Sequence, residues 1–267
     1  MKMLVPLLLL LGSCSGQPAI APGGIVSNNP CVDGVLAEIS TLGQIAAVSV
    51  YSHDVTGASA PLAWSRSLPA IGTSAEEVIA ARPRLLLTGN LVFGGTNAAL
   101  AKAGVPIRAF GVPATVAENI AQVRQIAAAI GREAAGEALV TRIEDATVQM
   151  PARQQSAIIW QGGGFVAGKG TLQDELLSRA GYRNASTSYG LKQWEQLPLE
   201  TLIRNPPDVI FMPILGQGDA ARELAARSKL LRHLRGKSRI IGFPDKLLFC
   251  GGPTIIQVMR VMRERGS

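Results

Sequence analysis

A segment containing glycine and lysine is the first candidate for chemistry in this sequence. It has the spacing of a phosphate-binding loop, because Gly163 is followed after four residues by Gly168 and Lys169. Such a loop needs Ser or Thr in the next position to bind Mg²⁺, and Gly170 occupies that position. The segment therefore does not predict a nucleoside triphosphatase.

Other patterns of catalytic and metal-binding residues are missing from the sequence. No G-x-S-x-G elbow occurs, which removes the main indication of a serine hydrolase. The two histidines, His53 and His233, lack partners at the spacing of zinc ligands, which also disfavours a zinc or manganese carrier. We therefore expect no catalytic residue, no metal site and no intrinsic cofactor, and we predict that the protein is not an enzyme.

Polar and aromatic side chains follow several short apolar segments that read as strands. In open α/β sheets, ligands bind in the crevice outside the carboxyl ends of the strands. Aromatic and amide groups there suit a large, flat, partly apolar ligand with polar edges. The predicted ligand-contacting residues are Asn28, Asn29, Pro30, Tyr51, Ser52, His53, Gln161, Gly162, Leu248 and Phe249.

Cys31 and Cys250 each follow a predicted strand and open a helix, one in each half of the chain. If both face one crevice, they could form a disulfide or bind a soft metal, and a disulfide across a moving cleft would limit its opening. Two buried, unpaired thiols are the other interpretation. The sequence leaves these alternatives open.

The charge distribution argues against a nucleic-acid partner, although the net charge is +7. The densest basic cluster is Arg260, Arg263 and Arg265 on the last predicted helix, and aromatic residues make up only 4% of the chain. A nucleic-acid surface is typically a basic stripe, often interleaved with aromatic residues. A basic surface equally suits anionic ligands or acidic membrane headgroups.

Residues 1–14 have the pattern of an export signal, with Lys2 ahead of an apolar run that is too short to span a bilayer. The end of this segment, Leu11-Gly12-Ser13-Cys14, resembles the lipobox of bacterial lipoproteins, in which the cysteine is lipidated. Cleavage a few residues later is the alternative. Residues 15–24 read as a flexible tether, and no second apolar run of about 18 residues follows.

From residue 25 onward, short apolar runs alternate with amphipathic segments, which is typical of α/β units with buried parallel strands. Residues 115–150 interrupt this alternation with a long helical stretch that contains no proline. A straight helix of this length would extend about 50 Å, enough to connect two lobes. We therefore predict an N-terminal α/β lobe at 25–114, one linker helix at 115–150 and a C-terminal α/β lobe at 151–267. The predicted strands are 25–27, 45–50, 85–88, 107–110, 157–160, 209–212 and 239–243.

A local repeat supports two similar lobes. In each half a glutamate, Glu76 or Glu200, lies seven residues before a proline, Pro83 or Pro207, and an apolar strand begins two residues after that proline. The carboxylate suits the positive end of a short helix, and the proline ends that helix ahead of the strand.

The order of these segments resembles the class III substrate-binding proteins of ABC importers, which bind vitamin B12, ferric siderophores or haem. The resemblance spans nearly the whole chain after residue 25. It is carried by the Glu-x6-Pro repeat, by Trp194 six residues before Glu200, and by residues 48–52, 164–177 and 248–253. It implies two Rossmann-like lobes joined by a single long helix, with the ligand in the cleft between them. This interpretation depends on the linker helix being unbroken.

The resemblance also implies a function. The protein would be a periplasmic, lipid-anchored monomer that captures a corrinoid or ferric siderophore and delivers it to a permease and ATPase complex. Trp194 would contact the ligand, and Glu76 and Glu200 would dock on the permease, although both could serve only as helix-start carboxylates. A haem importer component, with Tyr51 or His53 as iron ligand, and a ligand-sensing lipoprotein of the same fold are the alternatives.

Overall fold

The computed structural model describes residues 20–90, 94–213, 231–243 and 249–264, together with residues 228 and 247. Two parallel β-sheets, each flanked by helices, follow one another along the chain. None of the helices in these described ranges is long and apolar enough to cross a membrane.

The first lobe contains a five-stranded sheet in the order β3-β2-β1-β4-β5, and all its strands are parallel. Its central strands are buried on both faces, which explains why they appear in the sequence as continuous apolar runs. The strands are β1 (Ile25–Ser27), β2 (Ile45–Ser49), β3 (Ala70–Ile71), β4 (Leu85–Gly89) and β5 (Ile107–Phe110). The helices are α1 (Pro30–Ile39), α2 (Leu62–Arg66), α3 (Ala75–Ala81) and α4 (Gly94–Lys102).

The second lobe contains a four-stranded parallel sheet in the order β11-β10-β6-β8. A separate antiparallel pair, β7 with β9, lies beside it and was not predicted from the sequence. The strands are β6 (Ser156–Ile159), β7 (Phe165–Ala167), β8 (Arg183–Asn184), β9 (Trp194–Gln196), β10 (Val209–Pro213) and β11 (Arg239–Phe243). The helices are α7 (Leu172–Arg179), α8 (Leu199–Arg204) and α9 (Thr254–Glu264).

The segment between the lobes is a helical hairpin, so the prediction of one unbroken linker helix at 115–150 is wrong. Helix α5 (Val116–Ala129) ends at a turn, and α6 (Glu133–Ala146) packs back along it. Gly131 makes this reversal with φ +67°, a conformation that glycine adopts far more readily than residues with a Cβ. The amide of Arg132 then donates to the carbonyl of Ala127 at 2.8 Å, which closes the end of α5.

The α5–α6 hairpin contacts both lobes. On the first lobe, Arg132 Nε donates to the Ile39 carbonyl at 2.9 Å, and Arg142 pairs with Glu38 at 2.7 Å. On the second lobe, Arg179 Nη1 donates to the Thr147 carbonyl at 2.9 Å. One continuous cluster of buried apolar side chains runs through the hairpin from one lobe to the other, so the lobes share a core.

Candidate functional site

A cavity of about 810 Å³ lies where the first lobe, the start of the α5–α6 hairpin and the second lobe meet. This volume is within the range of small-molecule sites. Its lining consists of Asn29, Cys31, Val35, Gly89, Asn90, Phe110, Gly111, Val112, Pro113, Ala114, Gln122, Gln161, Gly170, Thr171, Leu172, Gln173, Gln193, Trp194, Phe249, Cys250, Gly251 and Gly252.

The first-lobe wall of the cavity is built at the carboxyl ends of β1, β4 and β5. The chain passes from β1 to β2 in one direction and reaches β4 on the other side, so the sheet order reverses between β1 and β4. That reversal opens a crevice at the strand ends, where ligands bind in open α/β sheets. Asn29 is fixed there because its Oδ1 caps α1, accepting from the amide of Cys31 at 2.9 Å.

The start of α5 forms a second part of the wall. Thr115 caps this helix by accepting from the amide of Glu118, whose carboxylate in turn accepts from the amide of Ala114 at 2.8 Å. Gln122 Nε2 donates to the carbonyl of Gly111 at 2.8 Å. These bonds hold the 111–114 segment against the cavity.

The second-lobe wall comes from the end of β6, the start of α7 and the β7–β9 pair. Gln161 follows the end of β6 by one residue, Trp160, and Thr171 caps α7 by accepting from the backbone amide of Asp174. Gln193, just before β9, has φ +47°, an uncommon conformation for a residue with a Cβ. The backbone amide of Gln193 donates to the carbonyl of Lys169 at 3.1 Å, and its backbone carbonyl accepts from the backbone amide of Gly168. These two hydrogen bonds hold the backbone of Gln193 in its strained conformation at the cavity wall.

Carboxamides and apolar groups dominate the chemistry of the lining. The carboxamides are those of Asn29, Asn90, Gln122, Gln161, Gln173 and Gln193. No described residue of the lining carries a formal charge. Within the described ranges, no group of three or more His, Cys, Asp or Glu residues is placed to hold a metal ion. Such a surface can donate and accept hydrogen bonds around an apolar ligand without supplying charge.

Cys31 and Cys250 form a disulfide, with a Cα–Cα distance of 5.0 Å. It joins the first turn of α1 to the segment before α9, and therefore joins one lobe to the other across 219 residues of sequence. Of the alternatives that the sequence left open, the structure contains the bridge.

The predicted ligand-contacting residues fall into two groups in the structure. Asn29, Gln161, Trp194 and Phe249 lie on the cavity lining, and Phe249 keeps 53% of its surface exposed. Leu248, like the predicted lipidation site Cys14, lies outside the described residues. Asn28, Pro30, Tyr51, Ser52 and His53 are not part of the described lining.

Tyr51, Ser52 and His53 lie on a 3₁₀ turn after β2, which β1 separates from β4 and from the cavity. Ser52 is buried and donates to Asp33 at 2.6 Å. His53 Nε2 lies 2.9 Å from the carbonyl of Ser65. These three residues are not part of the described lining, because they follow a strand farther out than β1, and their contact with a ligand stays a prediction.

Asn28, Pro30 and Gly162 also have local roles. Asn28 is buried, and its backbone amide donates to the carbonyl of Leu87 on the adjacent strand at 3.2 Å. Pro30 is the first residue of α1, and its carbonyl accepts from the hydroxyl of Ser59. Gly162 begins a short 3₁₀ turn directly after Gln161.

Asp33 is a buried acidic group beside the cavity wall. Its carboxylate accepts from the amide of Ser49 at 2.9 Å and from the Ser52 hydroxyl, and it thereby ties α1 to the end of β2. Burial raises the pKa of this carboxyl from 3.8 to about 7, and hydrogen bonds from Ser27, Ser52 and Ser49 offset only part of that effect.

Glu76 and Glu200 occupy equivalent positions in the two lobes. Each lies exposed in the first turn of a short helix, α3 or α8, that leads directly into a parallel strand, β4 or β10. A helix that returns the chain to a parallel strand runs opposite to it, so its first turn lies at the carboxyl edge of the sheet. Both glutamates therefore lie on the edges that bear the cavity.

Much of the lining was missed by the sequence analysis. The rule of strand ends should have included Gly89, Asn90 and the 111–114 segment, since these follow predicted strands. Gln122, Gln173 and Gln193 carry no comparable signal, because they reach the cavity through helix starts and a strand pair formed at long range.

Comparisons with known proteins agree with this architecture. A family model described as periplasmic binding protein matches residues 25–234. The apo form of the periplasmic heme-binding protein RhuT from Roseiflexus sp. RS-1 is similar at a TM-score of 0.72 and 21% identity, covering 92% of this chain and 100% of that one. The periplasmic heme-binding protein HutB of Vibrio cholerae is similar at 0.71 and 18% identity, covering 90% and 97%. At these identities the two structures show a shared fold. None of the curated proteins matches the sequence.

Proposed function

The chain belongs to the periplasmic binding protein family, as a class III substrate-binding component of an ABC importer, and on that premise we propose that it captures a corrinoid or a ferric siderophore in the inter-lobe cavity. The ligand would then pass to a permease and ATPase complex. Proteins of this family bind and deliver solutes, and they function in the periplasm.

The observation that carries this proposal is that the described lining is rich in carboxamides and contains no charged side chain. A buried charge on a ligand requires a charged or metal partner in the protein, and the described lining offers none. Among the described residues, the lining also offers no imidazole, phenol or thiol to coordinate a metal. It therefore suits a chelate whose metal is already coordinated and whose edges carry amide, hydroxyl or carbonyl groups.

Haem is the second candidate, because the structural neighbours named above are heme-binding proteins. The described lining favours it less. Tyr51 and His53, the residues expected to coordinate haem iron, lie beyond β1 from the cavity. Haem propionates would also lack a charged partner among the described lining residues.

Thermal unfolding with a panel of ligands tests the choice between a corrinoid or ferric siderophore and haem. We expect cyanocobalamin or ferrichrome, whose chelates are neutral, to raise the melting temperature, because binding at about 100 times the Kd stabilises by about 2.7 kcal/mol. Ferric enterobactin, an anionic chelate, and metal-free ferrichrome should have little effect. A shift with haemin alone, accompanied by a changed Soret band, would establish the second candidate instead. Absence of any shift would refute the proposal that the ligand is a metal chelate.

A variant of Gln193 tests whether that ligand occupies this cavity. Gln193→Gly relieves the positive φ and removes one carboxamide, so we expect little loss of stability and an affinity about tenfold lower, the effect of one lost hydrogen bond. Arg82→Gly is the matched control, because Arg82 also has a positive φ, of 45°, but caps α3 away from the lining. Equal effects of the two substitutions on calorimetric affinity would argue against the site.

We further propose that Cys14 carries a lipid anchor and that Glu76 and Glu200 dock on the permease. The lipobox-like sequence at residues 11–14 supports the first proposal. Labelling of cells with radioactive palmitate should mark the wild-type protein but not Cys14→Ser, and equal labelling of both would exclude this anchor. Exposure of both glutamates at the cavity-bearing edges supports the second proposal.

A further inference from the structure

The segment Cys250–Gly252 of the second lobe is inserted against the first lobe and the hairpin. Cys250 is bonded to Cys31 at the start of α1. The amide of Gly252 donates to Oδ1 of Asn119 at 3.2 Å, and Asn119 is a helix α5 residue with only 1% of its surface exposed. A buried carboxamide on α5 is therefore used to hold a loop of the second lobe.

Two glycines make this close approach feasible. A Cβ on Gly251 would overlap Nδ2 of Asn119, and a Cβ on Gly252 would lie 2.9 Å from Cγ2 of Val35 on α1. Gly252 also has φ +66°. The backbone of this segment consequently contacts both partners directly, without intervening side chains.

These contacts lie on the cavity itself, since Cys31, Val35, Cys250, Gly251 and Gly252 all belong to its lining. The disulfide therefore forms part of the wall that joins the two halves of the site, and the Asn119–Gly252 hydrogen bond holds a residue of that wall. We call this pair of contacts the latch.

We propose that the latch sets the spacing of the two lobes along the cavity wall, so that Cys31, Cys250 and Asn119 are positioning residues that keep the binding site preformed. A covalent bond between the lobes prevents separation at that point and leaves the walls to rotate about it. Without the latch, more open arrangements become populated, and apparent affinity falls in proportion to the fraction that remains competent to bind.

The spacing of the lobes can be measured without any ligand. Spin labels can be attached through noncanonical amino acids at the exposed positions Leu42 and Lys237, one in each lobe. Double electron–electron resonance then reports the distance between the lobes in the full-length protein. Reduction with a phosphine, which with one water molecule converts the disulfide to two thiols and the phosphine to its oxide, should broaden and shift the distance distribution. Cys31→Ser with Cys250→Ser should match the reduced protein and not respond to the phosphine.

Asn119→Ala keeps the disulfide and tests the second contact. We expect it to leave the distance distribution of the oxidised protein unchanged and to widen that of the reduced protein further. An unchanged distribution after reduction of the wild-type protein would overturn the proposal. Loss of far-ultraviolet circular dichroism on reduction at 10 °C would overturn it as well, because the disulfide would then maintain the fold and not the spacing.

The effect on the site rests on the proposed function and is measured separately. Titration with cyanocobalamin and with ferrichrome should give an affinity about tenfold lower for the reduced protein than for the oxidised protein if one molecule in ten remains competent. Equal affinities with a changed distance distribution would refute the role of the latch in binding. If the oxidised protein binds neither chelate, the proposed function fails, and the distance measurement still decides whether the latch sets the spacing.

Discussion

Asp33 illustrates how a single buried residue makes the stability of the protein depend on pH. Because burial raises the pKa of its carboxyl to about 7, the folded protein retains a proton that the unfolded chain releases near 3.8. Folding is therefore favoured most at low pH by this group. Its contribution to the free energy of unfolding falls as pH rises from about 4 to about 7 and is constant above that.

Asp33→Asn should remove this dependence while keeping an oxygen that accepts from Ser49 and Ser52. We expect the free energy of unfolding of the variant, relative to wild type, to be more favourable at pH 8 than at pH 5 by on the order of 2 kcal/mol. Urea unfolding at the two pH values measures it. Asp145→Asn, at an exposed site on α6, controls for the loss of one negative charge. The same difference at both pH values would mean that Asp33 is ionised throughout.

The residues around the cavity show what a rule about strand ends can and cannot predict. Asn29 and Gln161 lie on the lining because β1 and β6 are inner strands at points where the sheet order reverses. Tyr51 obeys the same local rule but follows β2, one strand farther out. Local sequence identifies a strand end, whereas its place in the sheet depends on pairing between distant segments. Contact of the lining residues with a ligand stays a prediction.

At the scale of elements, the strands were easier to predict than the helical hairpin. Strands β1, β5 and β11 begin and end where the sequence indicates, although only β1 is fully buried and β5 and β11 are partly exposed strands at the sheet edges. Residues 115–150 contain no proline, so the sequence predicts a single helix with Gly131 inside it. The signal for two helices was present, because Gly131 precedes Glu133, a pattern of helix end followed by an acidic first turn.

The hairpin depends on a second glycine. A Cβ on Gly136 of α6 would overlap the Cβ of Ala127 on α5, so the two helices touch through this position. Gly→Ala inside a helix ordinarily stabilises by about 0.5–1 kcal/mol. We expect Gly136→Ala to destabilise instead, by about 1–3 kcal/mol, because the added methyl group overpacks the interface. Urea unfolding measures the free energy.

Two further variants identify the cause. Adding Ala127→Gly to Gly136→Ala removes the methyl group that the new alanine would overlap, so the double variant should regain part of the lost stability. Gly95→Ala, in α4, meets nothing within 4 Å and should stabilise as an ordinary helical substitution does. Stabilisation by Gly136→Ala would show that the helices do not approach this closely.

At the scale of the whole molecule, the sequence predicted two lobes correctly and their connection incorrectly. The interpretation as an importer component depended on an unbroken rod, yet the family match over residues 25–234 holds without one. A hairpin packed between α1 on one side and α7 and α9 on the other joins the lobes through a shared core. The Cys31–Cys250 bridge could be raised as an alternative but not chosen, because sequence gives no distance between the two residues.

The proposed docking role of the paired glutamates depends on the two-lobed arrangement. Glu76 and Glu200 begin equivalent helices at the cavity-bearing edges of the two lobes, and both side chains are exposed. A partner with two basic sites at fixed separation could contact both only when the lobes are correctly spaced. Carboxylates that only complement helix dipoles would contribute a few tenths of a kcal/mol each and would have no role in delivery.

Reversing both charges separates these roles. We expect Glu76→Arg with Glu200→Arg to reduce uptake of the bound chelate by roughly tenfold or more, because like charges across an interface repel strongly, and to leave ligand affinity unchanged. Uptake by cells that carry the permease and ATPase, compared with calorimetric affinity of the purified protein, measures both effects. Glu133→Arg is the matched control, since Glu133 is also exposed in the first turn of a helix, but that helix is α6 of the hairpin between the lobes. Undiminished uptake by the double variant would leave both glutamates with a structural role only, because docking through either carboxylate cannot survive reversal of its charge.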